Sequence, residues 1–247
     1  MHYIVFDLEF NQDFSSLQSF DKKRSQYPFE IIQIGAIKLD VNMNTVATFN
    51  RFVKPTIYTQ ISPFITKLTG ISTEQLQIEE LFPEVYKSYI EFIEDTDSVF
   101  CIWGMSDIKE LFRNADYHQL NRKNLPRWFI NLQPYVSIYF GLPATNLLRL
   151  QNAVEALSLP ITYQFHSALS DAYYTAELFK AIYNSSIQPK LYDPSYVITR
   201  PRQQKREIDI DKLLQQFEKM YARIMTDEEQ EIIKLAYKMG RTNQFLK

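Results

Sequence analysis

The opening residues constrain the fold most. Tyr3–Leu8 (YIVFDL) is apolar and β-branched until it reaches an acid, and a second acid follows at Glu9. A run of that kind reads as a buried strand. Side chains alternate across a strand, so Asp7 and Glu9 share one face and set two carboxylates close together at the strand end. Such a pair repels itself, and both groups stay ionised only with a cation between them. All-oxygen ligands of this type suit Mg²⁺ or Mn²⁺. Asp-x-Glu is common by chance. It gains weight here because a buried strand should not end in two acids without a reason.

The rest of the chain builds on that strand. Residues 12–29 are polar and carry Lys22, Lys23 and Arg24, a long excursion. Glu30–Asp40 (EIIQIGAIKLD) and Val46–Val53 read as two further strands, and the short turn between them predicts an antiparallel meander. The period then changes. Apolar residues three and four apart predict helix at Thr73–Leu76 and over Phe82–Ile93, with Pro83 tolerated in the first turn. Ser98–Trp103 is a fourth strand and Trp128–Leu132 a fifth, closed by Pro134. Helices are predicted over Asp107–Ala115, Leu147–Leu157 and Ala168–Tyr183. Strands followed by alternating helices and strands predict an α/β domain, a mixed five-stranded sheet flanked by helices.

Beyond Asn184 the texture shifts. Residues 185–208 hold Pro189, Pro194 and Pro201 with the basic run RPRQQKR, and read as an extended linker. Residues 209–247 read as a helical hairpin. Its first helix has one apolar face from Ile210 to Ile224. Its second spans about 227–239, opened by a Thr226/Glu229 capping box and stopped by Gly240. The hairpin could cover core surface, bind a protein partner or clamp a nucleic-acid strand.

Charge separates the two parts. Residues 1–187 carry 15 Lys and Arg against 20 Asp and Glu, whereas residues 188–247 carry 12 against 9. An acidic body is a poor passive binder of phosphate, unless some of its acids exist to hold metal ions. Cys101 is the only cysteine, which excludes an intrachain disulfide and a Cys-based zinc cluster. No apolar run approaches the roughly 20 residues of a membrane helix, and no signal peptide is evident. The expectation is a cytoplasmic protein without membrane association.

Two further acids complete a pattern. Asp107 follows Trp103-Gly104 after the fourth strand, and His166 precedes Asp171 by five positions at the start of the last helix of the domain. Each has an ordinary explanation as a helix-start residue. His2 and His118 read as surface residues. Together, FDLEF (Phe6–Phe10), WGMSDIKEL (Trp103–Leu111) and HSALSDA (His166–Ala172), with LTGIS (Leu68–Ser72), resemble the DEDDh exonuclease family, whose members share a ribonuclease-H-like fold. The order and separations agree over about residues 1–184. The resemblance is nearest to the branch of ERI-1-type RNA-trimming enzymes and bacterial sporulation-inhibitor-type exonucleases. Two departures stand out, Phe10 after Glu9 and Tyr163-Gln164-Phe165 before His166. Neither removes a ligand.

The resemblance implies a 3′-5′ exonuclease that releases nucleoside 5′-monophosphates by two-metal hydrolysis. Asp7, Glu9, Asp107 and Asp171 would hold two Mg²⁺ or Mn²⁺ ions. His166 would be the general base, an imidazole's ordinary pKa of roughly 6.5 suiting that task. The implied partner is single-stranded RNA or DNA with a free 3′ end, RNA slightly favoured. Leu8, Phe10 and Met105 sit beside the ligands and are candidates to contact the terminal base. Lys22, Lys23, Arg24, Arg122, Lys123 and Arg127 are candidates to track phosphates. The alternative is a non-catalytic nucleic-acid or protein adaptor on the same fold; retention of all four acids and the histidine argues against it.

Overall fold

The computed structural model describes residues 1–12, 29–94, 96–195 and 209–241, with side chains to residue 237. The chain divides into two compact units, residues 1–196 and 197–247.

The first unit is built on one sheet of order β3-β2-β1-β4-β5-β6. Strands β1 (Tyr3–Gln12), β2 (Phe29–Leu39) and β3 (Thr45–Phe52) form the antiparallel meander, β2 pairing with both neighbours. Next, β4 (Val99–Ile102) adds parallel to β1, and β5 (Trp128–Asn131) parallel to β4. The sheet has six strands rather than the expected five. Within the expected linker, β6 (Lys190–Leu191) pairs antiparallel with Trp128 and Phe129. Tyr192 then packs its ring against Phe112 and Phe129 and bonds its amide to the carbonyl of Arg127. Residues 185–192 therefore belong to the sheet domain, because an apolar ring and an open strand edge outweigh the linker-like composition.

Helices cover both faces. Short helices α1 (Pro63–Thr69) and α2 (Thr73–Leu76) precede α3 (Phe82–Ile93). After β4 comes α4 (Ser106–Tyr117), and after β5 come α5 (Leu132–Tyr139), α6 (Leu150–Ala156) and α7 (Ala168–Ile182). The even residues of β1 (Ile4, Phe6 and Leu8) pack with α3 and α4, including Val85, Tyr89, Ile108 and Leu111. The odd residues Tyr3 and Val5 pack with α5, α6 and α7, including Val136, Val154, Tyr174 and Leu178. This division by parity is what fully buried strands with helices on either side require. Pro134 does not close a strand; it lies in the first turn of α5, where a missing N–H costs nothing, and Asn131 caps that helix.

In the second unit, α8 (Ile210–Tyr221) and α9 (Asp227–Arg241) form the expected pair of helices. The capping box is present: the Thr226 amide donates to the Glu229 carboxylate, and the Glu229 amide donates to Thr226 Oγ1. Gly240 is not a stop, since α9 continues through it to Arg241. Among the described residues no helix is long and apolar enough to cross a membrane.

Candidate active site

The site forms on the second half of β1, with Asp7 at mid-strand and the strand continuing past Glu9 to Gln12. Asp7 continues the odd face of β1, beyond Tyr3 and Val5, and so points to the side covered by α7. A register shift in the β1–β2 ladder between Glu9 and Phe10 marks a bulge in this half, and bulges commonly re-aim side chains. Opposite Asp7 in the ladder is Gly35. A Cβ there would lie 2.1 Å from the carbonyl carbon of Ala168, so only glycine lets the start of α7 rest on β2. Gln33, 2% exposed, completes the joint: its Oε1 accepts from the Ala168 amide at 3.2 Å, and its Nε2 donates to Asn50 at 2.9 Å. This fastening sets Asp171, one turn into α7, above β1.

The result is a triad of carboxylates. Asp7, Glu9 and Asp171 each offer an oxygen, and these oxygens lie within 4.8 Å of one another. Asp107 stands outside that mutual set, yet its charge raises the pKa of both Asp7 and Glu9. It is 5% exposed, and the backbone amide of Leu8 is among the groups that lower its carboxyl. Asp107 reaches this place through a tight exit from β4. Gly104 adopts φ 94°, and its amide donates to Asn131 Oδ1 at 3.1 Å. Gln33, Gly35 and Asn131 were not singled out by sequence reasoning. The available signal was a Gln and a Gly inside the apolar stretch Ile31–Ile37 of β2.

Electrostatics mark the cluster as uncompensated. Burial, ahead of the charges of Asp171 and Asp107, pushes the Glu9 carboxyl up to about 8. Burial pushes Asp107 up to about 7 against the opposing backbone hydrogen bonds, and Asp171 up to about 6 against the bond from the His166 amide. Asp7 is raised well above its ordinary value by burial, then by Asp107, Asp171 and Glu9. Asp171 Oδ1 is buried and has no hydrogen-bond partner. A buried, unpartnered oxygen within a cluster of carboxylates fits a hard divalent cation.

His166 lies at the entrance to α7. Its side chain is exposed, its φ is 65°, and its amide donates to Asp171 Oδ2 at 3.3 Å. The candidate base-contacting residues separate. Leu8 is 4% exposed and turned into the core, so it offers no surface to a base; this corrects the expectation, and the even parity of its position is the reason. Phe10 is half-buried against Phe29, and Met105 is 40% exposed. Of the candidate phosphate contacts, Arg122 is ion-paired with Asp116 and Arg127 donates to the Tyr192 carbonyl, while Lys123 is exposed. Lys22, Lys23 and Arg24 lie outside the described residues. His118 is half-buried rather than fully at the surface, its ring stacked on Phe82 with centroids 5.1 Å apart.

A family model described as an exonuclease, RNase T, matches residues 4–179. The chain belongs to this exonuclease family. The 3′-5′ exoribonuclease 1 of Rattus norvegicus is 26% identical over 158 residues, covering 60% of this chain and 45% of that protein. The 3′-5′ DNA exonuclease Cap18 of Escherichia coli is 28% identical over 169 residues, covering 66% of this chain and 87% of that protein. The crystal structure of the nuclease domain of 3′hExo, described as a DEDDh family member bound to rAMP, aligns with a TM-score of 0.64 at 20% identity, covering 78% of this chain and 96% of that one. The chain spans about half the length of its exoribonuclease relatives. The sheet and helices are thus of the ribonuclease-H-like kind found in DEDDh exonucleases.

Proposed function

We propose that this protein is a metal-dependent 3′-5′ exonuclease that shortens single-stranded nucleic acid, RNA in preference to DNA, one nucleoside 5′-monophosphate at a time. The reading is carried by the triad of Asp7, Glu9 and Asp171, with Asp171 Oδ1 buried and unpartnered. Asp7, Glu9, Asp107 and Asp171 would hold two Mg²⁺ or Mn²⁺ ions. When bound, such ions supply Lewis-acid polarisation of the scissile phosphate and neutralise charge that develops in the displacement.

The chain's own residues do the rest. The carboxylates fix where the phosphate sits. His166, exposed at the mouth of the site, takes the proton of the attacking water as general base. Its backbone is tied to Asp171, so base and ligand keep a set separation. Half-buried Phe10 and exposed Met105 offer apolar surface to the terminal base.

The test is degradation of matched 5′-labelled single-stranded RNA and DNA with Mg²⁺ or Mn²⁺, against a chelator control. A ladder that shortens from the 3′ end, absent with chelator, is expected. Intact strands with both metals would overturn the reading. A DNA preference is the second reading, favoured by one observation: the match to Cap18, named as a DNA exonuclease, covers 87% of that protein, against about half of the exoribonucleases.

A further inference from the structure

We propose that Tyr174 is a positioning residue that acts through His166, its hydroxyl clamping the segment that carries the general base. The proposal rests on the reading of His166 given above. Residues 157–167, between α6 and α7, contain neither helix nor strand, so they have no backbone ladder to hold them. Residues of such a segment need other partners for their N–H and C=O groups. For Tyr163, Tyr174 supplies both. It lies on α7 three residues after Asp171, is fully buried, and its hydroxyl meets the backbone of Tyr163 twice. It donates to the Tyr163 carbonyl at 2.7 Å and accepts from the Tyr163 amide at 2.7 Å. One phenol thus takes the place of a neighbouring strand.

The rings reinforce the clamp. Phe165, immediately before His166, stacks on Tyr174 with centroids 4.7 Å apart and planes 28° apart. Tyr163 meets Tyr173 edge to face at 5.2 Å. His166 then turns back in the left-handed region at φ 65° and bonds its amide to Asp171. A non-glycine residue keeps such a conformation only where its surroundings over-determine it. Fixed points lie on both sides: Tyr163 and Phe165 on Tyr174 before the turn, Ala168 on Gln33 after it. The segment Tyr163-Gln164-Phe165, a departure from the family pattern, has a physical use here through its two rings.

The experiment is a double-mutant cycle in the full chain. Tyr174→Phe keeps the ring and removes the hydroxyl. It should lower kcat about tenfold, within the roughly 10²-fold that a 1 Å misplacement costs, while KM and Mn²⁺ affinity stay unchanged. In a His166→Ala background the same change should cost nothing further, because there is no base left to position. Phe165→Leu, which removes the stacked ring alone, should lower kcat in the same sense. An unchanged kcat in Tyr174→Phe, or an equal loss with and without His166, would overturn the proposal. Amide hydrogen exchange at Tyr163 gives a readout independent of catalysis. It should quicken at least tenfold in Tyr174→Phe, and unchanged exchange would sink the clamp. If the wild-type protein degrades no strand, the reading of the site has failed and the exchange measurement alone decides the clamp.

Discussion

Gly35 and Ala168 touch through their backbones, 133 positions apart in the chain, and this contact sets Asp171 over Asp7. The relationship leaves no room for a methyl group, since the obstructing atoms belong to the main chain of α7. Gly35→Ala should therefore lift the start of α7 rather than be absorbed locally. Overpacking of this severity costs about 3 kcal/mol. At roughly 2–4 °C per kcal/mol for a chain of this size, the melting temperature should fall by about 6–12 °C. The added stabilisation by Mn²⁺ should shrink as well. A thermal melt with and without Mn²⁺ checks both, and a wild-type response would deny that the contact positions the site.

Single substitutions Asp7→Ala, Glu9→Ala, Asp107→Ala and Asp171→Ala should each nearly abolish strand degradation and leave the fold intact. Removing one carboxylate relieves repulsion in the metal-free protein, so its stability should be unchanged or raised. Stabilisation by Mn²⁺ should diminish in each, because the ion binds the folded state less tightly. Full activity in any one variant removes that residue from the site.

The pH dependence of metal-free stability follows from the raised carboxyls. In the unfolded chain these acids titrate near pH ~4. In the fold Glu9 is pushed up to about 8, Asp107 to about 7 and Asp171 to about 6. Between those limits the folded state binds more protons than the unfolded one, so unfolding becomes easier as pH rises. The penalty is absent below about pH 4 and complete above about pH 8. Urea midpoints in chelator should fall from pH 5 to pH 8, and Glu9→Gln should flatten the slope. A midpoint that rises over this range in the wild type would contradict the cluster.

His166→Ala should slow degradation by roughly 10²–10⁴-fold, the usual worth of a positioned general base. Stabilisation by Mn²⁺ should survive, since the imidazole is not among the proposed ligands. Single-turnover rates at saturating metal, set beside melts, separate these effects. Loss of the Mn²⁺ response would place His166 in the metal site instead.

Truncation after residue 196 should preserve degradation of short oligonucleotides and weaken binding to long strands at low salt, because the removed segment is basic. Truncation after residue 187 should be worse folded, as it also removes β6 and the ring of Tyr192. Filter binding with long and short strands compares the chain ending at residue 196 with the whole chain. Equal affinities would leave the tail no part in strand binding.

Local pattern determined much of this protein. The unbroken apolar run of Tyr3–Leu8 and the largely apolar Glu30–Leu39 mark strands buried on both faces, and the three-to-four spacing in Phe82–Ile93 marks the buried side of a helix. They also settle that Asp7 and Glu9 share a face. The order of the acids and of His166 along the chain points to the family without any tertiary contact. Other features have no local signature. A strand of two residues has no period, so β6 was legible only once the edge of β5 and the rings of Phe112 and Phe129 were in place. That helices flank the sheet could be read, but not which helices lie over the Leu8 face and which over the Asp7 face. The approach of α7 to β2 rests on Gln33 and Ala168, separated by 135 positions. The clamp of Tyr174 on Tyr163 depends on a turn held by no ladder. Periodicity records only which side of an element is buried; what lies against that side is decided when distant segments pack.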